Sequence, residues 1–405
     1  MPLPKQRFDP TGKGPLRGVR VLDFSRLVAG NMLSLQLADF GAEVVKVEAP
    51  GRGDTLRDWR EKGISVHWKV YARNKKSITL DLKAPDAPDI ILDLVSHFDV
   101  MIEGFRFRYL EKLGVGPDVL MARNPKLVVV RVSGFGQTGP YAKRPGFGTL
   151  VEAMSGFASR NGFEDREPVL PPLAMADMIA GLYGAMATVI AVRDIETNGG
   201  TGQVIDVSLL ESIFSILGPE PAIHKLTQRI RKRVGSASEG TSPRNVYATN
   251  DGGWVAISAS TQDMTERLFR AIGRGDLNDN RLFKTNAERI KRRHEVDAIV
   301  GDWIKARTLA ENIAYFEEAG VTAAPVYDVA QFLDDPHVQE RGIVVETPDD
   351  EMGELPMHAV VPRLSRTPGV LCAPAPAVGQ HNDEIYGRIG YSAERRQSLR
   401  ERKVI

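Results

Sequence analysis

Residues 18–48 read GVRVLDFSRLVAGNMLSLQLADFGAEVVKVE and contain a strand pattern, a helix pattern and a second strand pattern. Residues 18–24 form a β-branched run typical of a buried strand, and residues 41–48 form another. Between them, residues 28–40 carry apolar side chains at helical spacing. A strand, a helix and a strand make a βαβ unit, in which the strands are parallel and the crossover is right-handed. The stretch therefore predicts an α/β fold with a Rossmann-like large domain built on a parallel sheet.

The same alternation of strands and helices extends to about residue 210 and then stops. Residues 225–240 are basic and rich in Ser and Gly, which is typical of a linker or a mobile loop. A turn signal at 250–253 precedes a strand and several helices, and a Pro-rich stretch follows from Pro325. We therefore predict a flexible arm at 1–15, the first part of the large domain at 16–210, a linker at 211–244, a small α+β domain at 245–325, and a return linker with the C-terminal part of the large domain at 326–405.

The composition excludes several classes of partner. Lys and Arg number 53 against 52 Asp and Glu, so a net charge of +1 gives no field that favours nucleic acid or an anionic membrane. No apolar run reaches about 18 residues, which argues against a membrane span, and the N-terminal arm lacks the apolar core of a secretion signal. The one cysteine, Cys372, excludes an intrachain disulfide framework and a multi-cysteine metal site. We expect a cytoplasmic protein whose partners are small molecules.

One carboxylate lies in an unusual setting. Residues 171–186 read PPLAMADMIAGLYGAM and place Asp177 among small and apolar residues, with no Lys or Arg from Val169 to Val192. Burying a charge is costly unless it is paired or hydrogen-bonded. Asp177 is therefore either the N-cap of a helix that follows it or a working group, and both readings can hold together. A carboxylate kept ionised by the free N–H groups of a helix start is suited to act as a covalent nucleophile.

Several segments together resemble the class III CoA-transferases, the family that includes formyl-CoA:oxalate and carnitine CoA-transferases and is akin to α-methylacyl-CoA racemase. Each segment alone is a weak signal, but they occur in order and cover essentially residues 16–405. They are GVRVLDF at 18–24 with Ala29 and Gly30, DFGAEVVKVE at 39–48, NKKSITLDLK at 74–83, SGFGQTGP at 133–140, Asp177 with Gly181, and GQHNDEI at 379–385.

The resemblance implies a double displacement at Asp177. In such enzymes the matching aspartate attacks an acyl-CoA thioester, which gives an aspartyl-acyl anhydride and then an aspartyl-CoA thioester, and a second acid takes over the CoA. This chemistry needs no metal, and CoA enters as a substrate instead of a permanently bound cofactor. The anhydride must be shielded from water, and each tetrahedral intermediate needs fixed hydrogen-bond donors.

The resemblance also implies where CoA binds. Leu27, Val28 and Ala29 match positions that lie against the nucleotide or pantetheine, and Asn74, Lys75 and Leu80 match the adenine and phosphate end. Lys112 stands where an arginine is frequent, so it keeps a point charge without the bidentate fork. Phe105 follows Gly104 where relatives have an asparagine, which removes one side-chain amide. Arg26 and Arg144 are candidates to pair with the second carboxylate of a dicarboxylate such as succinate or malate, although a hydrated surface role explains them equally well.

Three other functions fit the sequence less well than CoA transfer does. A racemase of the same fold uses a His/Asp pair, but residues 144–153 contain no histidine. A dinucleotide-dependent oxidoreductase is disfavoured because the loop at 25–31 lacks the G-x-G-x-x-G pattern. A non-catalytic CoA-binding protein would show neither exchange nor α-proton loss. His381 is the one histidine within a family-like segment and is a candidate for the active site.

The resemblance further implies an interlocked homodimer. In that arrangement two linkers join the large and small domains, and the partner chain passes through the opening between them. Linkers with few apolar residues cannot hold two domains together within one chain, so the partner's surface would cover what they leave exposed.

Overall fold

A computed structural model describes residues 2–405 and divides them into two compact units. The first contains residues up to Ser155, then Pro171–Gly218 and Pro336–Ile405, and the second contains Gly156–Leu170 and Pro219–Asp335. The first unit is thus assembled from three separate pieces of chain. Residues 156–170 belong to the second unit, an assignment that the sequence pattern did not suggest.

A parallel sheet forms the centre of the first unit. Its strands follow the order β3-β2-β1-β4-β5-β6, the arrangement of a doubly wound Rossmann-like domain. Val21, Leu22 and Asp23 pair in parallel both with β2 and with β4, so the opening βαβ unit lies at the middle of the sheet. The predicted α/β class and parallel sheet are confirmed. The strands are β1 (Arg20–Asp23), β2 (Glu43–Glu48), β3 (Lys75–Thr79), β4 (Val100–Glu103), β5 (Val128–Ser133) and β6 (Val204–Ser208).

Helices cover both faces of this sheet. The continuous Val, Ile and Leu content of the strands requires this, because a parallel sheet is buried on both sides. The helices up to residue 218 are α1 (Ala29–Asp39), α2 (Val66–Tyr71), α3 (Ala87–Val95), α4 (Tyr109–Lys112), α5 (Pro117–Arg123), α6 (Gly148–Met154), α7 (Met175–Asn198) and α8 (Leu209–Ser215), with a 3-10 turn at Thr55–Asp58.

The longest of these helices, α7, packs against α1, α6, α8, β5 and β6. With 24 residues and a mean hydropathy of 1.6 in its most apolar window, it is long and apolar enough to cross a membrane by length and composition alone. The core helix of a soluble unit meets the same criterion, and these packing partners are those of a core helix. Apolar side chains also remain exposed along α7 in the single chain, among them Leu182, Met186 and Ile190.

The C-terminal piece completes the first unit and closes one edge of the sheet. The backbone N–H of Ser77 donates to Nδ1 of His381, and the N–H of His381 donates back to the Ser77 carbonyl. Asn382 Oδ1 accepts from the N–H of Thr79 at 2.8 Å. His381 therefore caps edge strand β3, a structural role for the GQHNDEI segment. The elements of this piece are α15 (Pro336–Arg341), the antiparallel pair β10 (Val344–Asp349) and β11 (Gly353–His358), α16 (Asn382–Arg388) and α17 (Ala393–Glu401).

The second unit has its own core beneath an antiparallel sheet ordered β7-β8-β9. Val255, Phe269, Val300 and Phe316 are buried in it. Residues 211–244, predicted as a linker, include the part of α8 from residue 211 to 215 and one further complete helix. The elements are α9 (Glu220–Thr227), β7 (Arg244–Ala248), β8 (Trp254–Ser258), α10 (Gln262–Ala271), α11 (Asn286–Lys291), α12 (Arg293–Lys305), α13 (Leu309–Glu318), β9 (Ala323–Pro325) and α14 (Val329–Asp334), with 3-10 turns at Ala158–Arg160 and Gly275–Asn278.

Candidate active site

Asp177 lies in the first turn of α7 but is not its cap. The N-cap position is Ala174, which offers no side-chain acceptor. The interpretation of Asp177 as an N-cap is therefore wrong, because the helix begins at Met175, three residues earlier than that interpretation requires. Asp177 is instead an acidic residue within the first turn, where the helix dipole favours a negative charge.

The surroundings of Asp177 make ionisation costly. Burial, with a contribution from the negative charge of Glu152, raises the pKa of Asp177 to about 6. No lysine or arginine among residues 2–405 forms a salt bridge with its carboxylate. An unpaired, half-buried carboxylate is more basic than an exposed one and is still ionised at neutral pH. Both properties suit a nucleophile.

Helix α6 approaches Asp177 closely at Gly148. A Cβ atom on Gly148 would lie 2.1 Å from Oδ2 of Asp177, a distance at which one of them must move. The same Cβ would lie 3.7 Å from Oε1 of Glu152. Glu152 itself is 2% exposed and accepts a hydrogen bond from the N–H of Ala176 at 3.0 Å. The absence of a side chain at residue 148 thus leaves the space that the Asp177 carboxylate occupies.

The predicted CoA loop at Leu27, Val28 and Ala29 packs beside the start of α7. Val28 belongs to a buried apolar cluster with Leu56 and Trp68, and Ala174 and Met178 pack against that cluster. Gly181 also lies close to the loop, since a Cβ there would be 2.8 Å from the Ala29 carbonyl oxygen. The structure therefore brings this predicted loop and Asp177 together.

A buried polar network holds the loop in shape. Leu27 has a φ of 61°, a left-handed conformation that costs free energy in a residue with a side chain. Its N–H donates to Asp54 Oδ1 at 3.1 Å, and its carbonyl accepts from Asn31 Nδ2 at 2.6 Å. Asn31 Nδ2 also donates to Asp54 Oδ2 at 2.8 Å. The buried Lys46 ammonium lies 3.1 Å from Oδ2 of Asp54 and 3.3 Å from Oδ1 of Asp23, so the charges in this network are paired.

Lys75 belongs to this network. It is 2% exposed, and its Nζ donates to the carbonyl oxygen and Oδ1 of Asn31 at 3.0 and 3.1 Å. Burial lowers the pKa of Lys75 to about 7, although the Asp23 carboxylate opposes this shift. The phosphate contact implied for Lys75 stays a prediction, and one that its present hydrogen bonds do not support.

Asn74 and Leu80 also make internal contacts. The Asn74 amide nitrogen donates to Asp39 Oδ1 at 2.7 Å and to the Val370 carbonyl, and its amide oxygen accepts from the N–H of Cys372. Leu80 is buried in the main core. In this structure both residues make contacts within the first unit, and their predicted contacts with CoA stay predictions.

The remaining predicted residues lie on more exposed positions. Phe105 packs against Tyr109 with ring centroids 4.9 Å apart, and Glu103 Oε2 accepts from the Phe105 N–H at 2.6 Å. Lys112 and Arg26 are exposed, with Arg26 directly beside Leu27. The Arg144 guanidinium is also exposed and lies 3.7 Å from the centre of the Tyr141 ring. A dissolved anion could therefore reach the charge of Arg26, beside the loop at residues 27–29, and that of Arg144, shortly before α6.

The sequence interpretation missed three residues that shape the site: Gly148, Glu152 and Asp54. Gly148 and Glu152 lie in residues 144–153, the segment that lacks a racemase histidine, and their spacing of four residues places both on one helix face. Asp54 ends a turn cluster that the sequence marks only as a loop. Residues 2–405 contain no group of three or more His, Cys, Asp or Glu side chains arranged to hold a metal ion.

Residues 16–382 match CoA-transferase family III. The chain belongs to this family. Among curated relatives, succinyl-CoA--D-citramalate CoA-transferase of Chloroflexus aurantiacus is 38% identical over 395 residues, which are 96% of this chain and 98% of that protein. Succinate--glutarate CoA-transferase of Agrobacterium fabrum is 31% identical over 94% of this chain and 97% of that protein. A solved CAIB/BAIF family protein from Brucella suis superposes with a TM-score of 0.81 at 29% identity, covering 93% of this chain and 100% of that one.

The predicted enzyme class is confirmed, and the protein is a CoA-transferase. Its substrates are accordingly CoA thioesters and carboxylates.

Proposed function

We propose that this enzyme transfers CoA from succinyl-CoA, or a closely related dicarboxylyl-CoA, to a free carboxylic acid, with Asp177 as the covalent nucleophile. The observation that carries the proposal is the half-buried Asp177 carboxylate at the start of α7, which forms no salt bridge with any cation among residues 2–405. The names of the relatives support the substrate class, since succinyl-CoA or succinate occurs in both cases given above.

The proposed reaction proceeds through two kinds of covalent intermediate on the Asp177 carboxylate. The Asp177 carboxylate attacks the thioester carbonyl, the C–S bond breaks, and CoA thiolate leaves behind an aspartyl-acyl anhydride. The thiolate then attacks the Asp177 carbonyl carbon, which releases the donor acid and forms an aspartyl-CoA thioester. The acceptor carboxylate attacks this thioester and expels CoA thiolate again. Attack of that thiolate on the acceptor's acyl carbon completes the new CoA ester and restores Asp177.

The residues around Asp177 support these steps by limiting access of water. Val28, Ala174 and Met178 form an apolar wall on the side of the first loop. An anhydride in such surroundings is attacked preferentially by the bound thiolate or carboxylate, because bulk water is kept away.

We also propose that the enzyme acts as a homodimer. The exposed face of α7 presents apolar side chains that a monomer would leave in water, namely Leu182, Tyr183, Met186, Val189 and Ile190. A surface of this kind is typical of an interface. Native mass spectrometry and sedimentation at nanomolar protein test this part, and a fully active monomer would contradict it.

The test of the transfer reaction is a donor and acceptor screen followed by isotope tracing. Enzyme is mixed with succinyl-CoA and D-citramalate, L-malate or glutarate, and the CoA esters are resolved by mass spectrometry. The accepted acid is then supplied with heavy oxygen in its carboxylate. One turnover should place one heavy oxygen atom in the carboxylate of Asp177. In a separate incubation, hydroxylamine should trap the acylated peptide that contains Asp177.

Two variants complete the test. Asp177→Asn cannot form the anhydride and should lose at least about a thousandfold in kcat. Asp194→Asn, about 25 Å further along the same helix, is the matched control and should retain full activity. Normal turnover by Asp177→Asn, or heavy oxygen that passes to the product without entering the enzyme, would overturn the proposal.

A further inference from the structure

A second carboxylate lies beside Asp177 and forms or breaks no bond in the double displacement described above. Glu152 is buried on α6, and Gly148, one turn earlier, faces both acids. Oδ2 of Asp177 and Oε1 of Glu152 each lie within 4 Å of the same point, the position of a Cβ on Gly148. Across the described residues, no lysine or arginine forms a salt bridge with Glu152. Burying an unpaired carboxylate next to another is costly, so the arrangement calls for a function.

Glu152 is also the residue that fixes the start of α7. Its Oε1 accepts from the N–H of Ala176, the residue before the nucleophile, at 3.0 Å. The first amides of a helix have no partner within the helix, and Ala174 at the N-cap supplies none from its side chain. The orientation of the first turn, and with it that of Asp177, therefore depends on Glu152.

We propose that Glu152 is a positioning residue that both orients Asp177 and drives its acylation by like-charge repulsion. This inference rests on the proposed covalent role of Asp177. The free carboxylate of Asp177 is repelled by Glu152, whereas the anhydride and the aspartyl-CoA thioester at the same residue are neutral. The repulsion therefore disfavours the free state alone and shifts the equilibrium towards the acylated states.

Other ionisable groups near α7 do not provide this effect. Asp39 pairs with Arg73, Arg131 pairs with Glu103 and Glu111, and Asp206 accepts from the N–H of Gln137. Among residues 2–405, Glu152 is the charged side chain that raises the pKa of Asp177, in addition to the effect of burial. The ionisable residues on the elements packed against α7 are Asp39 on α1, Arg131 on β5, Glu152 on α6, Asp206 on β6 and Glu211 on α8.

The same repulsion acts on proton binding and on acylation, because both convert Asp177 to a neutral group. A quantitative relation follows. Replacing the Glu152 charge should lower the pKa of Asp177 and should lower the equilibrium constant for aspartyl-CoA formation by the same factor. A change of one pKa unit corresponds to about a tenfold change in that constant. A residue with a purely structural role would not produce equal shifts.

The experiment compares Glu152→Gln with Glu196→Gln, a control on α7 about 28 Å from Asp177. Glutamine keeps an oxygen for the Ala176 N–H but has no charge. In a plot of kcat/KM against pH, the acid limb is the low-pH side, where activity falls. We expect this limb to move to lower pH in Glu152→Gln. We also expect about tenfold less aspartyl-CoA in mixtures of succinyl-CoA and succinate, measured by mass spectrometry, with both changes absent from the control. Shifts that are absent, unequal or opposite in sign would overturn the proposal.

A second variant keeps the proposal testable if the glutamine variant is unstable. Glu152→Asp retains the charge but is too short to reach Ala176, so kcat should fall while the acid limb stays near its original pH. Movement of that limb to lower pH would contradict the proposal. Failure here can be distinguished from failure of the proposed function, because trapping of acylated Asp177 in the unmodified enzyme tests that function independently.

Discussion

Oδ1 of Asp54 lies 3.1 Å from the backbone nitrogen of Leu27, which the chain holds at a φ of 61°. One buried carboxylate thus fixes an unfavourable backbone conformation at the loop of residues 27–29, which packs beside the start of α7. The paired ammonium of Lys46 makes this possible, since the charge of Asp54 would otherwise be too costly to bury.

Replacing Asp54 should loosen that loop. Asp54→Asn removes one of the two carboxylates that pair with the buried Lys46 ammonium. We expect the free energy of unfolding, measured in denaturant titrations, to fall by about 3 kcal/mol or more. The KM for CoA esters should rise because Leu27 loses its anchor. Asp58→Asn, at an exposed position four residues later, should change neither quantity. Unaltered stability of Asp54→Asn would show that the network does not hold the loop.

Activity should depend on the ionisation of Asp177. Because burial, assisted by Glu152, raises the pKa of Asp177 to about 6, kcat/KM should fall as the pH drops below about 6. The raised pKa also means that the ionised carboxylate destabilises the folded state at pH 8. Asp177→Asn should therefore raise Tm at pH 8, and the gain should shrink as the pH falls from 6 towards 4. A Tm increase that grows on acidification would contradict this sign.

A methyl group at position 148 should displace the nucleophile. In Gly148→Ala the new Cβ would meet Oδ2 of Asp177 at 2.1 Å, so the carboxylate must rotate away. We expect kcat to fall about a hundredfold with a smaller change in KM. Gly301→Ala is a suitable control, since residue 301 lies within α12 and its Cβ would lie 3.4 Å from Cδ1 of Tyr247, an ordinary contact distance. Undiminished kcat in Gly148→Ala would place the reacting conformation of Asp177 elsewhere.

Lys75 and Lys112 should affect CoA binding in different ways. Lys112 is exposed, so Lys112→Ala should raise the KM for CoA esters by removing a charge from the phosphate end, and added salt should weaken the effect. Lys75 is buried on Asn31, so Lys75→Met should raise KM through the loop and should be insensitive to salt.

A truncated substrate separates these two mechanisms. Succinyl-pantetheine has no nucleotide phosphates, so it should be insensitive to Lys112→Ala but should still bind less well to Lys75→Met. If Lys75→Met affects only full CoA esters and responds to salt, its ammonium contacts phosphate after all.

Arg26 is a candidate reader of the distal carboxylate of a dicarboxylyl substrate. It is exposed beside Leu27, and a charge-assisted pair with that carboxylate would favour succinyl-CoA over an uncharged analogue. We expect Arg26→Gln to reduce the kcat/KM ratio of succinyl-CoA to butyryl-CoA about tenfold, the equivalent of about 1.4 kcal/mol. Arg17→Gln should leave the ratio unchanged, and a loss seen only in Arg144→Gln would move the assignment to Arg144.

The sequence predicted the sheet well because its evidence is local. The β-branched runs and the intervening helix pattern at 18–48 specify a βαβ unit without help from distant residues. The unusual setting of Asp177 was likewise visible in the small and apolar residues around it in the sequence. The roles of Lys75 and His381 were not visible, since burial on Asn31 and capping of β3 depend on contacts with segments far along the chain. The close approach of the Glu152 and Asp177 carboxylates involves two helices, α6 and α7, and no local sequence pattern encodes how these helices are placed relative to each other.

Closure of the β3 edge has a consequence for synthesis of the enzyme. Ser77 obtains its partner from His381, which leaves the ribosome 304 residues later. At about 5–20 residues per second, the nascent sheet presents an uncovered edge for roughly 15–60 s. Unpaired strand edges bind other strands, so incomplete chains that end before residue 379 should aggregate or require a chaperone instead of accumulating as a smaller folded enzyme.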